Sequence, residues 1–185
     1  MTSLETAMLI HGFNKRGDRQ KDDFYATPLE ATEALLKVES FDGKIYEPCC
    51  GQGHISKVLV KHGYDVESTD LVDRGYGQSH IDFLMELQVR ENIVTNPPYG
   101  RLLMQFVQQC QHLSEKKIAL LLKLTFLEGQ ERKEFFKKYP PVRVYVFSKR
   151  LSLMKNGDSY DGGMMALAWF VWEKGNKHNP VVSWL

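Results

Sequence analysis

Lys44-Ile-Tyr-Glu-Pro-Cys-Cys-Gly-Gln-Gly53, running into His54-Ile-Ser-Lys-Val-Leu-Val-Lys61, places a short strand, a glycine-bearing turn and a helix in direct succession. Ile55, Val58 and Leu59 fall on one helical face, and His62-Gly63 is a suitable helix stop. Glycines at 51 and 53 let the backbone approach a ligand closely, and the helix N-terminus behind them favours anionic groups. As a dinucleotide fingerprint the turn is incomplete, because Ser56 stands where the third glycine belongs. Taken alone it serves equally as an ordinary glycine-rich connection.

The rhythm continues on both sides. Upstream, Thr27-Pro28 with Glu30 predicts a capped helix running to about residue 38. Downstream, strands are expected at 65–70, 80–82 (very short) and 92–95, a helix at 102–113, and a strand buried on both faces at 118–124. A helix at 128–138 stops before Pro140-Pro141, and strands at 143–147 and 165–172 follow, joined by a polar loop at 149–163. Strands alternating with helices predict an α/β domain with a mostly parallel sheet. The two final strands, with no helix between them, predict an antiparallel edge hairpin. Residues 1–22 lack any period and read as a flexible or irregular arm, leaving 23–185 as the domain.

Composition narrows the function classes. The 185 residues are 43% apolar, with 24 Lys+Arg against 23 Asp+Glu, which excludes a charged disordered tail and removes bulk charge as an argument for a nucleic-acid partner. Residues 101–150 nevertheless carry 11 Lys+Arg and 4 Asp+Glu, which suits either solvated helix faces or a local phosphate-binding face. No apolar run is long enough for a membrane span, and Met1-Thr-Ser-Leu-Glu-Thr6 does not read as a signal peptide. Three cysteines, two of them adjacent, predict a reducing cytoplasm rather than a disulfide framework, and no spacing suits a metal.

Three further positions gather at strand ends. Asp70 would reach ribose hydroxyls of a ligand lying across the sheet edge, or simply form a turn. Asp82-Phe83 suits an adenine ring, the acid accepting from the amino group and the ring packing on its face, or is a turn acid beside a core aromatic. Asn96-Pro-Pro-Tyr99 is the most specific: at about 5% usage per residue, a given tetrapeptide arises by chance in on the order of one such chain per thousand. Its prolines stiffen the loop and leave carbonyls aimed outward. The Asn96 amide and the Pro97 carbonyl can both accept from one NH2 group, and Tyr99 can stack on a flat substrate. Lys123 and Cys50 read as core or lining residues.

Asp23-Phe-Tyr-Ala-Thr-Pro28, Glu47-Pro-Cys-Cys-Gly-Gln-Gly53, Asp70, Asp82-Phe83 and Asn96-Pro-Pro-Tyr99, in that order, resemble the S-adenosylmethionine-dependent amino-methyltransferases. Leu121-Leu-Lys-Leu-Thr-Phe-Leu-Glu-Gly-Gln130, Lys149-Arg-Leu-Ser152 and Ala168-Trp-Phe-Val-Trp172 are similar to the small phage and prophage Dam-like adenine methyltransferases. The resemblance covers roughly 23–174. It implies a Rossmann-like class I methyltransferase domain with seven strands, the last inserted antiparallel, and no separate target-recognition domain. It also implies methyl transfer from S-adenosylmethionine to the N6 amino group of adenine in DNA, flipped or single-stranded. Tyr25 and Thr27 would hold the methionine end of the cofactor, with Glu47, Pro48, Gly51 and Gly53 passing beneath it. Asp70 would bind its ribose, and Asp82 with Phe83 its adenine. Asn96, Pro97, Pro98 and Tyr99 would form the catalytic clamp, with Asn96 also bordering the cofactor. In this expectation the ring of Tyr99 matters more than its hydroxyl, so phenylalanine should substitute for it. Glutamine-amide methylation of a protein, and a noncatalytic adaptor that keeps the pocket, are the alternatives.

Overall fold

The structure, a computed structural model, describes residues 25–151, 154–155, 158–159 and 166–185; the expected arm at 1–22 and much of the loop at 149–163 lie outside them. Chain order runs α1 (Leu29–Leu36), β1 (Ile45–Glu47), α2 (His54–Lys61), β2 (Val66–Ser68), β3 (Arg90–Thr95), α3 (Leu103–Leu113) and β4 (Ser114–Lys123). It then continues through α4 (Gln130–Lys138), β5 (Arg143–Val146), β6 (Met154–Lys155), β7 (Asp158–Ser159), β8 (Leu167–Glu173) and β9 (Val181–Trp184). Seven strands form one sheet in the order β2-β1-β3-β4-β8-β5-β9, and β6 pairs with β7 apart from it.

β1 to β4 are mutually parallel, whereas β8 runs antiparallel to both of its neighbours, β4 and β5. The expected hairpin partners, β5 and β8, are thus adjacent, with β8 as the inserted strand. β9 adds to the outside of β5 in parallel, an edge strand with no counterpart among the sequence expectations.

Alternation along β4 explains the layering. Leu120 and Leu122 join Phe106, Val107, Cys110 and Phe135 of α3 and α4 on one face. Ala119 and Leu121 join Ala31, Leu35, Ile55 and Leu59 of α1 and α2 on the other. A strand covered on both faces has no polar position to spare, which is why 118–122 is uninterruptedly apolar. Trp169 of β8 is fully buried, and its indole N–H donates to the Ala31 carbonyl at 2.8 Å, pinning α1 to the sheet.

Two local expectations change. Residues 80–82 form no strand. Thr69 and Gln78 make one isolated parallel bridge, His80 takes a positive φ of 64°, and the Asp82 side chain then caps a short 3-10 turn at Phe83–Met85. Thr27 does not cap α1 either; Pro28 holds the N-cap position without a side-chain bond, which frees Thr27 for another partner. Among the described residues no helix is long and apolar enough to cross a membrane, and no cluster suits a metal ion.

Candidate active site

The parallel strands β1 to β4 end along one edge of the sheet, where Glu47, Ser68, Asn96 and Lys123 stand at or just beyond successive C-termini. Strand order reverses between β1 and β3, the position at which open α/β sheets leave a ligand crevice.

The glycine turn is built for close approach. Gly51 and Gly53 take φ of 54° and 79°, and a Cβ on Gly53 would lie 2.5 Å from the Tyr76 ring. Asp70 holds the turn from below: one carboxylate oxygen accepts from Gly51 N–H at 2.8 Å, the other from Val72 N–H at 2.9 Å. An ionised carboxylate has about four acceptor positions, so Asp70 retains capacity for hydroxyl donors. Glu47 is 1% exposed, and its carboxyl accepts from the Ser56 backbone N–H at 2.8 Å and from the Ser56 hydroxyl, which in turn contacts Ser68 Oγ at 2.6 Å. Burial pushes its pKa up to about 8 against the bonds from Ser56, and the charge of Asp70 adds to the rise. No cation pairs with it among the described residues. Cys50 is likewise pushed up to about 12, first by burial and then by Glu47 and Asp70, so its thiol is an inert lining group.

Across the edge, the Asn96–Tyr99 loop is internally bonded. Asn96 Nδ2 donates to Thr27 Oγ1 at 3.0 Å, while the Tyr99 hydroxyl donates to Asn96 Oδ1 at 2.7 Å and contacts the Leu121 carbonyl at 3.1 Å. Burial pushes the Tyr99 phenol above its ordinary pKa, so it stays protonated and remains a donor. Pro97 is buried, Pro98 is exposed, and Lys123 Nζ lies 5.1 Å from the centre of the Tyr99 ring. Pro48 is buried under the glycine turn, and Tyr25 is half-buried on the segment that carries Thr27.

The structure therefore brings together Thr27, Asn96 and Tyr99 on one side and Glu47, Gly51 and Asp70 on the other. Phe83 is 3% exposed, and its ring packs in the core with its centre 4.4 Å from that of Phe106. Asp82 spends one oxygen on Leu84 N–H at 3.0 Å. The basic excess also divides: Lys116, Lys117 and Arg143 are tied to carboxylates at the opposite edge, whereas Lys123 lies beside the Tyr99 ring, Arg101 follows the loop two residues on, and Arg132 is bonded to the Thr125 carbonyl. Sequence reasoning missed Ser56 and Tyr76. Ser56, a polar residue between the apolar positions of α2, was a readable signal; Tyr76, in an aperiodic loop, gave none.

No protein-family profile and no curated protein matches the chain. Solved structures do. A provisionally assigned RNA methyltransferase from Pyrococcus horikoshii superposes with a TM-score of 0.62 at 14% identity, over 94% of this chain and 98% of its own. Magnesium protoporphyrin IX methyltransferase from Synechocystis, with S-adenosylmethionine bound, gives 0.57 at 9% identity, over 94% and 92%. The modification subunit of a provisionally assigned type I restriction enzyme from Vibrio vulnificus gives 0.58 at 12%, over 96% of this chain but 49% of that one. The fold is the Rossmann-like methyltransferase fold. S-adenosylmethionine, held in the Synechocystis structure, carries a positive sulfonium and an ammonium, and the residues here would suit it: Glu47 and Asp70 stand at or beyond strand ends, with Asp82 on the turn that follows.

Proposed function

We propose that the chain is an S-adenosylmethionine-dependent methyltransferase acting on the N6 amino group of adenine in DNA. The observation that carries this reading is the Asn96 amide, held by Thr27 and Tyr99 at the end of β3 and across the sheet edge from the Gly51–Asp70 turn.

Bound over the glycine turn, the cofactor would supply an electrophilic methyl group. The remaining work falls to this chain. Asp70 offers negative charge to the cationic ligand and keeps acceptor positions for ribose hydroxyls, and Glu47 adds its charge once it gives up its proton. An aromatic NH2 is a weak nucleophile because its lone pair is delocalised into the ring. Asn96 Oδ1 and the Pro97 carbonyl, each accepting a hydrogen bond from one N–H, would draw the nitrogen toward tetrahedral geometry and aim the lone pair, and the extra proton leaves to water after transfer. The acceleration is then positional and electrostatic, without a strong base. A duplex adenine must leave its stack to reach this loop, and Arg101 and Lys123 beside it can serve its phosphates. The Vibrio protein is named as the modification subunit of a type I restriction enzyme, a name in keeping with this substrate class.

The test is transfer of tritiated methyl from S-adenosylmethionine to DNA, recovered as N6-methyladenine after digestion. Asn96→Ala should lose turnover by roughly a hundredfold or more while cofactor affinity stays within a few-fold. Label found in protein glutamine and absent from DNA would replace adenine as the substrate, and no transfer to any amine would end the reading.

A further inference from the structure

We propose that Thr27 and the Tyr99 hydroxyl are positioning groups that hold the Asn96 amide with its oxygen toward the substrate amine. The inference rests on the methyltransferase reading and assigns to these two hydroxyls a role distinct from cofactor holding and base stacking.

A side-chain amide is nearly symmetric in shape and opposite in chemistry at its two ends. Oxygen first, Asn96 accepts from the amine; nitrogen first, it sets one NH2 against another and withdraws the acceptor that the reaction needs. Two bonds oppose that rotation. Thr27 Oγ1 receives Nδ2–H at 3.0 Å, and Tyr99 Oη gives its proton to Oδ1 at 2.7 Å. Turning the amide over would require both hydroxyls to exchange roles, with Thr27 donating and Tyr99 giving its proton to the Leu121 carbonyl. That contact, at 3.1 Å, is the longer of its two. Oδ1 keeps a second acceptor position after Tyr99 is served, which is the one an amine would use.

Thr27 is well anchored for the task. It is 4% exposed, between buried Ala26 and buried Pro28, and makes no helix-capping bond that would compete for its oxygen. The residue comes from a segment remote in sequence from the loop it steadies, so the strap leading into α1 and the end of β3 are joined at the reacting group. Tyr99 is held in turn by packing against both core layers. Its hydroxyl, rather than its ring alone, then accounts for tyrosine at this position.

The experiment compares Thr27→Val, which keeps the shape and removes the acceptor, with Thr27→Ser, which keeps the hydroxyl, and with Tyr99→Phe. Each is measured for kcat, KM for DNA, cofactor affinity and the NMR signals of the Asn96 side-chain NH2. Thr27→Val and Tyr99→Phe should each lower kcat roughly ten- to a hundredfold with cofactor affinity nearly unchanged, as expected when a reacting group is misplaced. Thr27→Ser should restore most of the loss. The Asn96 NH2 protons should exchange slowly in the wild-type protein and fast in Thr27→Val. A Thr27→Val enzyme with wild-type kcat, or one whose cofactor affinity falls in step with kcat, overturns the proposal. The NMR arm needs no turnover: if wild-type protein methylates nothing, the function fails, while unchanged NH2 exchange in Thr27→Val fails the positioning claim by itself.

Discussion

Glu39 and Glu47 are 7% and 1% exposed, lie at opposite edges of one sheet, and are treated in opposite ways. Glu39, at the N-terminal edge, is ringed by donors: Arg143, Lys117 at 2.7 Å and the Tyr145 hydroxyl at 2.9 Å. Burial alone would raise its pKa, but the bonds from Arg143, Lys117 and Tyr145 outweigh it and hold the carboxyl below its ordinary value. Glu47, at the C-terminal edge, has two bonds from one serine and no counter-charge among the described residues, and its pKa rises to about 8. The first arrangement satisfies its charge within the fold; on the proposed reading, the second waits for the cation of the cofactor. That contrast separates the structural edge of the sheet from its chemical one.

The largest expected effect on folding is at the satisfied edge. Glu39→Ala should cost about 2–3 kcal/mol in urea unfolding at neutral pH, below the roughly 3–5 kcal/mol of a fully buried pair, because Arg143 and Lys117 are partly in water. Since its folded pKa is depressed, the wild-type contribution is present above the ordinary carboxylate value of 4.5 and is lost as pH falls through the folded value. A variant whose stability relative to wild type ignores pH in that window would contradict the pairing.

Glu47 should behave in the reverse sense. Its raised folded pKa means the wild-type contribution is complete below 4.5 and is lost as pH rises through about 8. Glu47→Gln can still accept from Ser56 and should flatten that slope, leaving stability near pH 8 equal to or above wild type, as read from thermal midpoints at stepped pH. Its cofactor affinity should fall roughly tenfold, the worth of a charge-assisted bond. The smallest effect belongs to Lys116, an exposed cation between Asp42 and Glu91; Lys116→Ala should leave the unfolding midpoint unmoved within error.

Much of the fold was legible because burial on two faces leaves a plain mark: the run at 118–122 and the face Ile55–Val58–Leu59 admit few other readings. Misreadings came where polar side chains had two uses. Thr27 before Pro28 fits a helix cap by every local rule, yet its hydroxyl goes to Asn96, a tertiary partner no local window contains. Asp82 and Phe83 suit both a ligand pair and a turn acid beside a core aromatic, and spacing does not state that Phe106 packs on the ring. Asp70 lies just beyond the end of β2, while its service to Gly51 N–H depends on β2 lying parallel beside β1, which spacing does not state. β9 is short and largely solvent-facing, so its apolar residues carried no alternation to read.

The contrast between the two glutamates is tested most directly by calorimetry of S-adenosylmethionine binding, in buffers of different ionisation enthalpy, between about pH 6 and pH 7.5, below the Glu47 value of about 8. A cation that requires ionised Glu47 must expel its proton. Binding should therefore tighten as pH rises through this window and release up to one proton, and both features should vanish in Glu47→Gln. No binding by the wild-type protein, or binding that is indifferent to pH and releases no proton, would contradict the account.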